Sequence, residues 1–286
     1  MMRVIKGASV AKRIRNIVVE DMKKFVRHVP NPQLNVLLVG NEPSSRWYAG
    51  AKVKLGKMLG IKVNVMEYGD IVETEELISV INNWNTDSAV NGIIIEHPLP
   101  AQIDDETLMM AVDPIKDVDG VTAVNRALLL GGSIDKAIVP ATPLACIEIA
   151  KEVVPDFTGK RVIVVGRGYT VGRPLASLLL TENATVTICH SKTLDFVEIT
   201  KSGEIIFVAV GSPNLINSTM VRQGAVLIDA GITEVNNQIV GDVNWEDVSL
   251  VASAASPVPG GVGTVTTSMI MLNLVKAVKL QLIKLR

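Results

Sequence analysis

Cysteine, aromatic residues and charge of either sign are all scarce in this chain. Two cysteines in 286 residues, Cys146 and Cys189, exclude a disulfide framework and read as reduced thiols. Aromatic residues make up 3% and charged residues 20%, with a formal net charge of −1, so the basic footprint of a nucleic-acid binder is missing. No apolar run approaches the roughly 18 residues of a membrane-spanning helix. The opening MMRVIKG passes straight into a charged amphipathic segment rather than a secretory signal. A cytoplasmic protein with neither nucleic acid nor membrane as partner is expected. What is present in quantity is hydrophobic side chain, at 48%, and a length that favours two domains.

The most informative stretch runs from Gly159 to Thr193. Val162 to Val165 reads as a buried parallel strand, followed at once by Gly166, Gly168 and Gly172 and then by a helical pattern through Leu175 and Leu178. Ala184 to Cys189 reads as a second strand. Strand, glycine turn, helix and strand within about 30 residues is the setting of a dinucleotide site. The glycines let backbone N–H groups approach a pyrophosphate, and the helix start adds its positive dipole end. A glycine turn with no ligand is the plainer alternative. Sites for NAD usually end the second strand in an acid; this one ends in His190, Ser191, Lys192 and Thr193. With Arg167 inside the turn, that ending favours NADP. His190 by itself reads as a packed loop residue.

Along the rest of the chain, strands and helices alternate, which predicts parallel sheets. A helix is expected from Val10 to Val29, stopped by Pro30, and a strand from Leu34 to Val39. A second helix is expected to be capped by Ser44 or Ser45 and stopped by Gly60. Further strands are expected at Ile61–Met66, Gly92–Ile95, Ile205–Val210, Ala225–Ile228 and Leu250–Ala255. Helices are expected at Thr74–Asn83 and Glu106–Val112, with a last one over Thr266–Arg286.

Three other stretches carry chemistry. Tyr48 and Lys52, four apart, share one helix face and make a candidate acid/base pair, although most helical lysines are merely solvated. Asp117 and Asp119 in KDVDG are too few for a Mg²⁺ or Ca²⁺ cage. They suit the N–H donors of a heterocycle, or simply a turn. Ser256 to Gly263, SPVPGGVG, gives a flat ligand close access to backbone, or serves as a chain reversal. No metal site is expected.

Together with GIIIEHPLP, DPIKDVDG, PATP, GAVLIDAGI and GDV, these stretches cover nearly the whole chain. The chain resembles the methylenetetrahydrofolate dehydrogenase/methenyltetrahydrofolate cyclohydrolase family of the bacterial FolD type. The resemblance implies a two-domain α/β protein: residues 1–140 plus 266–286 as a folate-binding catalytic domain with a parallel sheet, residues 141–265 as a Rossmann-type NADP domain, and folate in a cleft between them. It implies oxidation of 5,10-methylenetetrahydrofolate by NADP, then hydrolysis of the methenyl product to 10-formyltetrahydrofolate, in the one-carbon metabolism that feeds purine biosynthesis. Lys52 matches the catalytic lysine, Tyr48 the stacking tyrosine and Asp119 the pterin-anchoring aspartate. Pro259, Gly260 and Gly263 fall at the folate, and Gly166, Arg167, Gly168, Ser191 and Ile232 match the NADP-contacting positions. A homodimer, formed through the Rossmann domain, is also implied.

The chain departs from the family pattern at Glu96, where glutamine is usual, and at Gly168, Ala141 and Thr264, where serine, cysteine and proline are usual. Glu96 beside Lys52 would favour the ammonium form and weaken hydrolysis more than hydride transfer. Two alternatives therefore stand beside the bifunctional reading: a dehydrogenase with weak or absent cyclohydrolase activity, and a non-catalytic dinucleotide- or folate-binding module. The intact Tyr48, Lys52 and Asp119 set speaks against the module. PVPGGVG and KDVDG do not fit a dehydrogenase of the shikimate type.

Overall fold

The structure, a computed structural model, describes residues 2–236 and 238–284. The elements run β1 (Arg3–Val4), α1 (Gly7–Lys23), β2 (Gln33–Val39), α2 (Pro43–Leu59), β3 (Lys62–Tyr68), α3 (Thr74–Thr86), β4 (Gly92–Ile95), α4 (Asp105–Met110), α5 (Ala123–Leu130) and α6 (Ala141–Ala150). They continue with β5 (Arg161–Val165), α7 (Gly172–Thr181), β6 (Thr185–Cys189), α8 (Phe196–Ser202), β7 (Ile205–Val208), β8 (Val226–Asp229), β9 (Thr233–Val235), β10 (Gln238–Val240), α9 (Trp245–Val248), β11 (Ala254–Ala255) and α10 (Val262–Lys284). No described helix is long and apolar enough to cross a membrane.

The chain divides into two compact units. One, Arg13–Ala141 with Thr267–Arg286, holds a parallel sheet in the order β3-β2-β4. Strand β4 is a continuous apolar run and β2 is apolar from Val36 to Val39, as strands covered on both faces must be. Leu37, Val39, Ile93 and Ile95 pack with Leu77, Ile81 and Trp84 of α3 into one core. Asn273 of α10 donates from Nδ2 to Val118 O and Val139 O, both at 2.8 Å, so this helix fastens the loops on either side of α5.

The other unit, Met1–Lys12 with Thr142–Thr266, holds a sheet in the order β1-β11-β8-β7-β5-β6, parallel at every pairing. Strand β5 has β6 on one side and β7 on the other, which is the switch point of a doubly wound fold. The core beneath it joins Ile163, Val165, Ile206, Val208 and Leu227.

Several elements differ from expectation. Residues 1–12 belong with the six-stranded sheet, because Arg3 and Val4 pair with Ala254 and Ala255. Helix α1 ends at Lys23, and i→i−3 bonds such as Phe25 N to Met22 O tighten the chain before Pro30. The N-cap of α2 is Glu42, with Pro43 in the first turn. Ser45 does not cap; it is buried and donates to His97 O at 2.9 Å. The strand expected at Leu250–Ala255 shrinks to Ala254–Ala255, since Val251 and Ala252 close turns onto Val248. Strand β7 stops at Val208, short of Val210. Helices α5, α6 and α8 and the β9–β10 hairpin had no sequence expectation. The last two residues of the expected final helix, 285 and 286, lie outside the described residues.

Candidate active site

In the three-stranded unit, Tyr48 and Lys52 sit one turn apart on α2, as their spacing requires. The chain leaving β4 runs through Glu96 and His97, and the Ser45 bond to His97 O ties that segment to the first turn of α2. Lys52 Nζ meets Glu96 Oε1 at 2.5 Å, with both side chains buried. The ammonium group also stands 5.9 Å from the centre of the Tyr48 ring, a cation–π distance. Exposed Trp47 meets the same ring edge-on at 5.0 Å. Burial, and then the Glu96 charge, raise the Tyr48 hydroxyl above its usual pKa. His97 sits beside the pair with its ring nitrogens at Ile95 O and Asp105 Oδ1, 3.2 and 2.8 Å away.

The two aspartates of KDVDG have separate tasks. Asp117 is buried and accepts from Gly120 N, Thr122 N and Asn125 Nδ2 at 2.8–2.9 Å, so its oxygens are taken up in wrapping the turn. Asp119 is not among those acceptors. Burial pushes its carboxyl up to about 7, the Asp117 charge adds to the rise, and Lys52 and His97 pull against it. By accessible surface Asp119 is only partly covered, so it is a desolvated carboxyl that a ligand can still reach. Just before it, buried Lys116 donates to the carbonyls of Trp84, Asn85 and Asp87 at 2.8–2.9 Å and closes the C-terminal end of α3. Lys116 and Ser45 carry no sequence signal of these tasks, because each acts on backbone about 30 to 50 residues away, whereas the turn role of Asp117 is local.

In the six-stranded unit, the glycine turn follows β5 directly. Gly166 has φ +118°, and a Cβ there would stand 2.3 Å from Ala209 O; one at Gly172 would stand 2.2 Å from Gly166 O. Neither position tolerates a side chain. A Cβ at Gly168 would meet nothing within 4 Å, so the turn is open where a pyrophosphate is expected. Arg167 is exposed, and its carbonyl accepts from Arg173 Nε at 3.2 Å. At the end of β6, His190 N donates to Thr193 Oγ1, and His190 Nδ1 accepts from Lys192 N. His190 thus shapes the turn, which leaves Ser191 and Lys192 exposed. Ile232, after β8, is 45% exposed. These features fit a dinucleotide whose ribose carries a phosphate: a backbone cradle, cations at its rim, and no acid from His190 to Thr193. In the proline-glycine stretch, Pro259 and Gly260 are exposed and Gly260 takes φ +102°, while Gly263 lies inside the first turn of α10.

Residues 5–119 match the model of the tetrahydrofolate dehydrogenase/cyclohydrolase catalytic domain, and residues 140–282 match that of its NAD(P)-binding domain. The chain belongs to the tetrahydrofolate dehydrogenase/cyclohydrolase family. The bifunctional protein FolD of Acetivibrio thermocellus is 44% identical over 283 residues, 98% of each chain. The solved bifunctional FolD of Campylobacter jejuni superposes with a TM-score of 0.92 at 36% identity, covering 98% of this chain and 99% of that one. The FolD dehydrogenase-cyclohydrolase of Trypanosoma brucei, solved with NADP and an inhibitor, gives 0.91 at 32% identity over 98% of each chain. Within the tetrahydrofolate dehydrogenase/cyclohydrolase family, the Lys52 cluster falls in the catalytic-domain match and the Gly166 turn in the NAD(P)-binding match.

Proposed function

We propose that this protein oxidises 5,10-methylenetetrahydrofolate with NADP and hydrolyses the methenyl product to 10-formyltetrahydrofolate. The buried Lys52–Glu96 pair, with the Tyr48 ring 5.9 Å from Lys52 Nζ and Asp119 within reach of its charges, carries this reading. When bound, NADP supplies the hydride acceptor. Gly166, Arg167 and Gly168 would hold its pyrophosphate side, with Arg167 and Ser191 at the 2′-phosphate and Ile232 at the rim. Asp119 accepts hydrogen bonds from the pterin N–H groups, and the Tyr48 ring offers a face for stacking. Pro259, Gly260 and Gly263 supply the proline-glycine stretch expected to approach the folate.

Hydrolysis needs a group that moves protons. Water adds to the electron-poor methenyl carbon and loses a proton, and the C–N5 bond then breaks as N5 gains one. Lys52 is the group that takes and returns that proton. Glu96 holds Lys52 in place, and so sets how readily it serves.

A homodimer working in the cytoplasm completes the proposal; it rests on the family resemblance, and sedimentation checks the oligomeric state. The activity test mixes purified protein with methylenetetrahydrofolate and NADP and follows reduced nicotinamide and methenyl absorbance together. Reduced nicotinamide should appear while the methenyl species is consumed faster than it decays unaided. No nicotinamide reduction would refute the dehydrogenase, and methenyl accumulation would refute the cyclohydrolase.

A further inference from the structure

The GDV stretch has no task in the chemistry described so far, yet it builds a buried carboxylate pair at the cofactor end of the six-stranded sheet. Asp242 is fully buried. Its Oδ2 accepts from Val210 N at 2.7 Å and Gly211 N at 3.0 Å, and its Oδ1 accepts from Ser212 N at 2.7 Å. These three amides form the turn that leaves β7. Asp229, at the end of β8, accepts from Gly231 N, Asp242 N and Val243 N at 2.9–3.2 Å, and its own N–H donates to Ser256 Oγ. The backbone of Asp242 is held in turn by Ile216 N.

The fit leaves no slack. A Cβ at Gly231 would stand 2.1 Å from the Asp242 carboxyl carbon, and one at Gly241 would stand 2.1 Å from Asp229 Oδ2. The backbone therefore closes onto both carboxylates.

What the pair holds lies at the switch point, where a doubly wound sheet takes its ligand. The turn after β7 abuts the glycine turn after β5: a Cβ at Gly166 would reach Ala209 O at 2.3 Å and Val210 Cγ1 at 3.1 Å. Asp229 holds Gly231, the residue before Ile232. We propose that Asp242, braced by Asp229, is a positioning residue that preforms the NADP site by fixing the turns after β7 and β8. This role rests on the NADP-dependent activity proposed for the protein, and nothing in it requires Asp242 to touch the cofactor. Two buried carboxylates in one place are costly unless their donors are supplied. Six backbone N–H groups supply them, and in return those turns lose their freedom before the cofactor arrives.

Asp242→Asn tests the assignment. An asparagine has one acceptor oxygen, so its NH₂ group would face at least one of the three N–H donors. In the full-length protein, the Kd for NADP measured by calorimetry without folate should rise about tenfold, as expected when a binding site must be ordered on binding. The KM for NADP should follow it, while kcat at saturating NADP stays within about twofold, because the chemistry is untouched. A lower melting temperature with an unchanged Kd would overturn the proposal and leave Asp242 a purely structural residue.

If the variant does not fold, amide exchange on the wild-type protein decides. The Val210, Gly211 and Ser212 amides should be protected without NADP and gain little on its addition. Free exchange that NADP alone suppresses would overturn the preformed site. Wild-type protein that binds NADP but oxidises no folate would refute the activity, and the Kd comparison would still judge Asp242. Protein that binds no NADP would refute both.

Discussion

Lys52 Nζ lies 2.5 Å from Glu96 Oε1, with side-chain exposures of only 7% and 8%. Glu96 engages Lys52 as an acidic side chain, and a glutamine amide would engage it as a neutral one. Glu96→Gln should therefore speed methenyl hydrolysis relative to hydride transfer, by about tenfold near neutral pH, within the range of one acid/base contribution. Both rates would be measured from pH 6 to 9, with correction for spontaneous hydrolysis. An unchanged ratio across that range would show that Glu96 does not govern Lys52.

Lys52→Met should abolish hydrolysis and leave measurable hydride transfer, since in the proposed mechanism only hydrolysis moves protons through the side chain. The single variant also strands a buried carboxylate, a loss of roughly 3–5 kcal/mol when one partner of such a pair is removed. The double variant Lys52→Met/Glu96→Gln should recover most of that stability and none of the hydrolysis. Chemical denaturation beside the methenyl assay separates the two effects. Near wild-type hydrolysis in either protein would assign the proton transfer to another group.

Arg167 is exposed on the rim of the glycine turn, where a guanidinium suits a ribose phosphate. Arg167→Ala should raise the KM for NADP about tenfold or more, the scale of one charge-assisted hydrogen bond. The KM for NAD should barely move. Equal losses with the two cofactors would mean that Arg167 supports the turn and not the phosphate.

Asp119, raised to about 7 chiefly by burial, makes a prediction about pH with a definite sign. The folded state holds this proton more tightly than the unfolded chain, so its contribution to stability is fully present below about pH 4 and is lost as pH rises through about 7. Asp119→Asn removes that loss and should be more stable than wild type at pH 8, with little advantage at pH 4, as thermal melts at the two values would show. Folate binding should respond in the opposite sense. Pterin N–H donors prefer the carboxylate, so the wild-type KM for methylenetetrahydrofolate should fall between pH 6 and 8. In Asp119→Asn it should be high and flat. A flat wild-type profile would mean that the ionised carboxyl is not the anchor.

The parts of this molecule that were legible in the sequence are those whose signals are local. The unit from Gly159 to Cys189 could be read because strand, glycine turn and helix follow one another without interruption. Tyr48 and Lys52 could be paired because helix geometry alone brings i and i+4 together. Features that span long distances in the chain were not legible. Ser45 reads as a cap, and its partner is a carbonyl 52 residues away. Asp242 sits in the short GDV stretch with no local partner to mark it, and its three donors lie 30 to 32 residues before it. The two-residue strand β1 offers no periodicity at all, and only its pairing with β11 reveals it. Short helices such as α6 are buried on nearly every side, so their sequences lack the polar face that would mark them.

The pairing of Arg3 and Val4 with Ala254 and Ala255 also bears on how the molecule comes into being. Each unit is assembled from two separated stretches, residues 1–12 with 142–266 and residues 13–141 with 267–286. The inner strands β2, β3 and β4 are complete by residue 95, but the helix that fastens the loops on either side of α5 through Asn273 follows far behind them. The six-stranded sheet waits in the same way for residues 254 and 255. Contacts so distant in sequence slow folding. Neither unit can therefore close until residues beyond 250 have been made, and the three-stranded unit, which also needs the stretch from Thr267, is the later of the two to have all its parts.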